Sequence, residues 1–385
     1  MKILMVTPLY EIYHSGGLAH SCRRIAKGFS EKGHQVHVVN IDAEIQYWDD
    51  IKIPKGLFTI KDGDINLHHL PEKYSYTGID LKKGDEIDVK LIQWYLYFKD
   101  FVKKHNPDVV ISFYITPYGY PASLISKEFK IPFISAIRGN DIGRFIHSPE
   151  MIPLIKHILE NSDKVITLSK DLEKQVKLLV PKAKVEVIYN SVDPNLYHQK
   201  YQEVGSNKKI IVGSTGIFKP KKGIEVLIRS FNLKSFNNES ELLLVGDFSK
   251  SLTKKENYKY NKLKNKLIIT GIVKREKVIE YLKNMDIYVT LTNSDGCPNS
   301  VLEAMCLGRA ILTTPVAAMP DILKDGKSAI FIDTMDENLI LEKLEYMMQN
   351  RDLLKKLGKN ARLAAKKLLP PYEINSWLKV IKKIK

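Results

Sequence analysis

KILMVTPLYEIYHSGGLAHSCRRIAKGFSEKGHQVHVVN, residues 2–40, holds the pattern from which the fold follows. An apolar run, KILMVT (2–7), leads past a Gly pair into the amphipathic stretch LAHSCRRIAKGFSEKG (18–33), and then into a second apolar run, QVHVVN (35–40). Strand, helix and strand in this order make a crossover unit, and the two strands it joins lie parallel.

The alternation continues outward. DVVISF (108–113), PFISAI (132–137), KVITL (164–168) and VEVIY (185–189) read as further strands, with IPLIKHILENS (152–162) as a helix among them. After the polar stretch YHQKYQEVGSNKK (197–209) the pattern restarts in KIIVGST (209–215), ELLLVGD (241–247), KLIITG (266–271), DIYVTLT (286–292), AILTT (310–314) and AIFID (329–333). Its helices are IEVLIRSFN (224–232), REKVIEYLKNM (275–285) and NSVLEAMCLG (299–308); beyond residue 335 the chain reads as helical, broken at Pro370 and Pro371. At 385 residues this predicts two doubly wound α/β domains, a linker near 197–208 and a ligand crevice between the domains. Residues 41–90 show no clear period and read as a hairpin insertion near an active-site mouth or as a surface excursion, the second being preferred.

Composition narrows the class. With 44% hydrophobic and 27% charged residues the chain can bury sizeable cores, which excludes general disorder. Three cysteines, Cys22, Cys297 and Cys306, lack the paired spacing of a zinc site and point to a reducing cytosol. MKILMVTPLY reads as a buried strand rather than a leader, and no run reaches the length of a membrane span. The net charge of +16 is lopsided: residues 1–198 carry 26 basic and 24 acidic side chains, residues 199–385 carry 34 and 20. Such an excess suits an anionic partner, whether nucleotide phosphate, membrane surface or nucleic acid. No aromatic-interleaved basic motif or nucleic-acid fold is present, so nucleic acid is not expected.

Three constellations could carry chemistry. Gly16 and Gly17 sit where a strand passes into a helix, which lets backbone N–H groups approach an anion; a simple turn is the alternative. GIFKPKKG (216–223) places Lys219, Lys221 and Lys222 at a helix start, an arrangement suited to a diphosphate or to a solvated basic loop. In SDGCPNSVLEAMCLG (294–308), Asp295 lies in a loop and Glu303 about one turn into the next helix, with the N–H groups of residues 299–301 between them. One carboxylate accepting from a sugar hydroxyl and another gripping a ribose diol fit this layout; a turn residue and an exposed helix position are the alternative.

The chain resembles the family 4 retaining glycosyltransferases of the GT-B fold over nearly its whole length. The resemblance is carried by SGGLAHSCRRIAKGFSEKGHQVHVV (15–39), IRGNDI (137–142), TLSKDL (167–172) with VIYNSVD (187–193), GIFKPKKG, LLVGD (243–247), the Asp-x7-Glu segment and Pro-Asp-Ile-Leu (320–323). It implies two Rossmann-like domains facing each other across a crevice, the acceptor domain at 1–198 and the donor domain at 199–366. A C-terminal helix, 367–385, would cross back to the first domain, with Trp377, Leu378 and Ile381 as its docking stripe.

The same resemblance places Gly16 and Gly17 beside the donor diphosphate and transferred sugar, and Lys222 on the diphosphate. Asp295 takes the first-acid place near the transferred sugar, Glu303 the second on the nucleotide ribose, and Asn299, Ser300 and Val301 offer N–H groups to phosphate. Lys219 stands in for an Arg where this chain has Ile217. Arg138 replaces a His and cannot act as a base, so it is expected to stabilise phosphate charge or hold an acidic acceptor. The implied activity is transfer of a sugar from a UDP- or GDP-linked donor, as co-substrate, to a glycan or glycolipid hydroxyl in surface polysaccharide or glycolipid synthesis. No cofactor or metal is called for. An epimerase of the same fold and a nucleic-acid-binding protein are the rivals. Residues 351–385, with eleven Lys or Arg against two acids, suit an anionic membrane surface or a solubilising face, which extends a cytoplasmic location to the inner face of the plasma membrane.

Two lookalikes are set aside. Asp62-Gly63-Asp64 resembles a metal-binding Asp-x-Asp but reads as a hairpin turn, and the adjacent His68 and His69 face opposite sides of a strand.

Overall fold

A computed structural model describes residues 1–12, 16–42, 56–71, 87–143, 145–206, 209–232, 240–248, 267–333 and 335–385. They form two compact units, Met1–Asn190 with Pro371–Lys385, and Ser191–Pro370. The chain passes between these units at Asn190/Ser191 and Pro370/Pro371, and within the second unit the Val192 N–H bonds the Leu368 carbonyl at 2.9 Å, tying the two passing segments together.

The first unit holds eight strands: β1 (Lys2–Thr7), β2 (Gln35–Asp42), β3 (Phe58–Asp62), β4 (Ile65–Pro71), β5 (Val109–Phe113), β6 (Phe133–Ala136), β7 (Lys164–Thr167) and β8 (Val185–Val187). They lie in the order β3-β4-β2-β1-β5-β6-β7-β8, every pair parallel except β3 with β4. A sheet that starts near its middle and winds outward both ways leaves a switch point beside β1, at whose carboxyl end ligands of such folds bind. The poorly periodic region supplies the β3–β4 hairpin, so part of it is sheet and not a mere surface excursion. Its strands pair at one edge, where β3 alternates half-buried Phe58 and Ile60 with exposed Thr59 and Lys61 over a run of five residues, too short to stand out in the sequence. The helix Ile87–His105, which the apolar spacing did not announce, begins within the last residues of the same region.

The second unit has six parallel strands, β9 (Ile210–Thr215), β10 (Ser240–Val245), β11 (Leu267–Ile269), β12 (Ile287–Thr290), β13 (Ala310–Thr313) and β14 (Ile330–Phe331), in the order β11-β10-β9-β12-β13-β14. The switch point lies between β9 and β12. Val212, Leu242, Val289 and Leu312 form the centre of its core with Leu227 and Ile228 from the helix Ile224–Asn232.

The terminal helix, Pro370–Ile384, packs on the first unit. Trp377 and Ile381 are buried, Leu378 is half-buried, and Lys379, Lys382, Lys383 and Lys385 are exposed. Ile374 lies so close to the helix Gly17–Glu31 that a Cβ at Gly28 would come within 2.3 Å of it, and Trp377 meets Phe29 edge-on at 6.3 Å. Among the described residues no helix is long and apolar enough to cross a membrane.

Candidate active site

In the second unit the candidate residues gather at the carboxyl ends of β9 and β12. After β9 the chain makes a short 3-10 turn, Pro220–Lys222, that ends at Gly223 with φ +65°. A Cβ there would come within 2.5 Å of the Leu291 carbonyl, so only Gly lets this turn lie against the strand end. The Asn293 N–H bonds the Lys221 carbonyl at 3.0 Å and ties the lysine turn to the loop carrying Asp295.

Lys222 Nζ lies 3.5 Å from Asp295 Oδ2, with each side chain 24% exposed. At that distance and exposure the pair is worth no more than about 1 kcal/mol. A doubly charged ligand can take the lysine from it. Burial, together with Lys222 and Lys219, holds the Lys221 ammonium below its usual range, while Asp295 acts against the fall. Lys219 is exposed.

The helix Asn299–Cys306 begins after Pro298 without a side-chain cap. Asn299 and Ser300 stand at its open end, but the Val301 N–H already bonds the Pro298 carbonyl at 3.1 Å and would have to share that hydrogen to meet a phosphate. Glu303 is held by Arg275 Nη2 at 2.8 Å and is only 12% exposed, which is not the free helix position of the bland alternative. Sequence reading missed Arg275, since nothing in a helix start 28 residues upstream marks a partner for Glu303.

The first unit carries the remaining candidates. Gly16 precedes the helix Gly17–Glu31 with φ +112°, a conformation that L side chains rarely adopt. Arg138 follows β6. Its N–H and that of Gly139 bond Asp141 at 2.8 to 3.0 Å. Asp141 is fully buried, and burial raises its carboxyl from 3.8 to about 6 against the pull of those N–H groups and of the Arg138 charge. The Arg138 guanidinium lies over the Phe113 ring at 4.4 Å and donates from Nη2 to Asn190 Oδ1 at 2.5 Å. Ser21 Oγ donates to the same oxygen at 3.4 Å, linking the glycine-led helix to Arg138.

Asp62 has a different task from the one its motif suggests. Gly63 and Asp64 turn the β3–β4 hairpin, and Asp62 accepts from Tyr10 Oη at 2.9 Å and from Arg23 Nε and Nη2 at 2.7 and 2.8 Å. Those bonds keep its carboxyl below the usual range and brace the loop after β1. His68 bonds His37 and Thr59 at 2.9 Å each, whereas His69 stacks on Phe58, so the two rings do face apart.

A cavity of about 510 Å³ lies at the opposite end of the second unit's sheet, before β12 and β13. Arg309 on its wall gives its donors to the carbonyls of Gln202, Lys283, Met285 and Leu307, which makes this a structural junction.

The chain is 25% identical over 383 residues to the uncharacterized glycosyltransferase MJ1178 of Methanocaldococcus jannaschii, covering 99% of this chain and 96% of that protein. It is 26% identical over 176 residues, 44% of this chain and 45% of the other, to the capsular polysaccharide biosynthesis glycosyltransferase CapM of Staphylococcus aureus. Anabaena Alr3699/HepE in complex with UDP superposes with a TM-score of 0.75 at 14% identity over 100% of both chains, a likeness of fold. The family description Glycosyltransferase Family 4 matches residues 15–196, and Glycosyl transferases group 1 matches residues 198–364. With these two matches running in order along nearly the whole chain, the protein is a glycosyltransferase of family 4 type with the GT-B fold.

Proposed function

We propose that this glycosyltransferase retains anomeric configuration, works without a metal, and moves a sugar from a UDP- or GDP-linked donor to a hydroxyl of a growing glycan or glycolipid in surface polysaccharide synthesis. The observation that carries the donor half is the convergence of Lys219, Lys221, Lys222, Asp295 and an uncapped helix start at one end of the second unit's sheet. Phosphate oxygens accept from ammonium and N–H groups, and sugar hydroxyls donate to a carboxylate, so a nucleotide-sugar satisfies both halves of this cluster.

In this reading Lys222, with Lys219 and the N–H groups at Asn299, Ser300 and Val301, holds the diphosphate and stabilises the charge it gains as the glycosidic bond breaks. One such preorganised donor is worth about 3 kcal/mol in the transition state. The acceptor hydroxyl attacks from the face the phosphate leaves, and the departing oxygen takes its proton. Asp295 accepts from the transferred sugar and Glu303 from the ribose, with Arg275 fixing Glu303. Gly16 and Gly17 give backbone room beside the sugar phosphate. Arg138 presents a fixed positive charge to the departing phosphate or to an acidic acceptor. The name of CapM supports a polysaccharide acceptor.

The test is turnover of a panel of UDP-, GDP- and ADP-sugars in the presence of EDTA, with the product's anomeric coupling read by proton NMR. Release of a nucleotide with retained configuration is expected; no turnover of any donor sinks the reading, inversion sinks the retaining part, and a donor epimerised without acceptor favours the epimerase. Arg138→Ala raises the acceptor KM alone if it holds an acidic acceptor, and lowers kcat with every acceptor if it serves the phosphate. The exposed lysines of the terminal helix support contact with the inner face of an anionic membrane. Equal sedimentation with neutral and anionic liposomes rejects that contact.

A further inference from the structure

Two lines of contact run from the terminal helix to Arg138. In the polar line, Glu373 is fully buried and accepts from Arg24 Nε and Nη2 at 2.9 and 3.1 Å. Arg24 Nη2 also stands 3.5 Å from Asn190 Oδ1, the oxygen that Arg138 Nη2 reaches at 2.5 Å. In the apolar line, the Trp377 ring packs 6.5 Å from the Phe113 ring, whose face supports the Arg138 guanidinium. Glu373 and Trp377 are one helical turn apart, so the same face of the terminal helix carries both lines.

Two guanidinium groups and the Ser21 hydroxyl therefore share one amide oxygen, which has only two lone pairs, so a closer approach by Arg24 comes at the expense of Arg138. Arg138 holds it at the shorter distance, and Glu373 engages Arg24 through two charge-assisted bonds that draw it the other way. We infer that the terminal helix positions Arg138 for the reaction, with Glu373 as a positioning residue that holds Arg24 at the longer of the two distances from Asn190. This rests on Arg138 serving the transfer as proposed above. An arginine loses much of its rotamer freedom when fixed. A guanidinium already held on Asn190 and Phe113 meets that cost in folding and not at the moment of reaction.

Replacing Glu373 by Gln keeps an acceptor but removes the charge, so Arg24 is released to compete with Arg138. Measured on the full chain with a donor that the native protein turns over, Glu373→Gln should lower kcat on the order of 10-fold. Removing the competitor should restore most of it, so the Glu373→Gln, Arg24→Met pair recovers while Glu373→Gln adds nothing in an Arg138→Ala background. Native turnover in Glu373→Gln, or a loss that persists in both double variants, overturns the inference. Should Glu373→Gln fail to fold, Asn190→Ala, which leaves the Glu373–Arg24 pair intact, is expected to show the same loss, and normal turnover overturns the proposal. If the native protein turns over no donor, the functional reading fails and the positioning is decided separately. In protein labelled with nitrogen-15 arginine, the Nε–H signal absent from Arg138→Ala should be rigid in the native chain and mobile in Glu373→Gln or Asn190→Ala. An unchanged signal rejects the inference.

Discussion

The lysine turn of the second unit and the arginine of the first are both cationic, yet they are held in opposite ways. Lys222 has one loose carboxylate partner at 3.5 Å and is partly exposed, whereas Arg138 is stacked on a ring, bonded to an amide and backed by a buried ion pair. A loosely partnered cation can exchange its carboxylate for an incoming diphosphate at little cost. A locked cation gives up exchange for a fixed direction. The first arrangement suits a ligand that must arrive and leave every cycle, and the second suits a group whose placement matters more than its affinity.

The largest expected effect falls on the locked side. Glu373→Ala takes the carboxylate from a part-buried Arg24, and should cost about 2–3 kcal/mol of stability by chemical denaturation. A loss below about 1 kcal/mol would show that the pair is not buried in solution. Lys222→Ala should do the reverse, lowering turnover about 10²-fold while the melting temperature stays close to native. A large fall in melting temperature with modest loss of turnover would erase the contrast between the two sites.

Asp141 sharpens the first unit's side through pH. Its folded value of about 6 lies above the ordinary 3.8, so its contribution to stability is fully present below about pH 4 and is lost as the pH rises through 6. Asp141→Asn does not titrate and should gain on the native protein by roughly 2–3 kcal/mol between pH 4 and pH 7, read as a difference in unfolding free energy. A constant difference across that range would mean the carboxyl is not raised. The smallest effect belongs to Arg275→Ala, where a half-exposed pair should cost under about 1 kcal/mol of stability yet weaken nucleotide binding through Glu303.

Much of this was legible in the sequence because parallel strands buried on both faces leave continuous apolar runs. The runs at 2–7, 35–40 and 310–314 became β1, β2 and β13 almost residue for residue. The Trp377 stripe likewise announced which face of the terminal helix is buried, since it repeats at helical spacing. The β3–β4 hairpin was hard to see as part of the sheet because an edge strand with one wet face needs few apolar residues. The partners of the candidate residues were not legible at all. Arg24, Asn190 and Glu373 meet across more than 300 residues of chain, and a pairing between distant polar side chains leaves no local period. Glu373 did leave one trace, since it lies a turn before Trp377 on the apolar face, where an acid is stable only with a partner.

The central claim is that the second unit's lysine turn holds the donor diphosphate while Glu373 and Arg24, behind Arg138, serve position alone. Calorimetric titration of UDP and of GDP into the full chain, its Lys222→Ala variant and its Glu373→Gln variant tests this most directly. The expected result is binding of at least one nucleotide, weakened tenfold or more by Lys222→Ala, as loss of a charged phosphate contact implies, and unchanged by Glu373→Gln. Equal affinity in the native chain and Lys222→Ala, or no binding of either nucleotide, would contradict it.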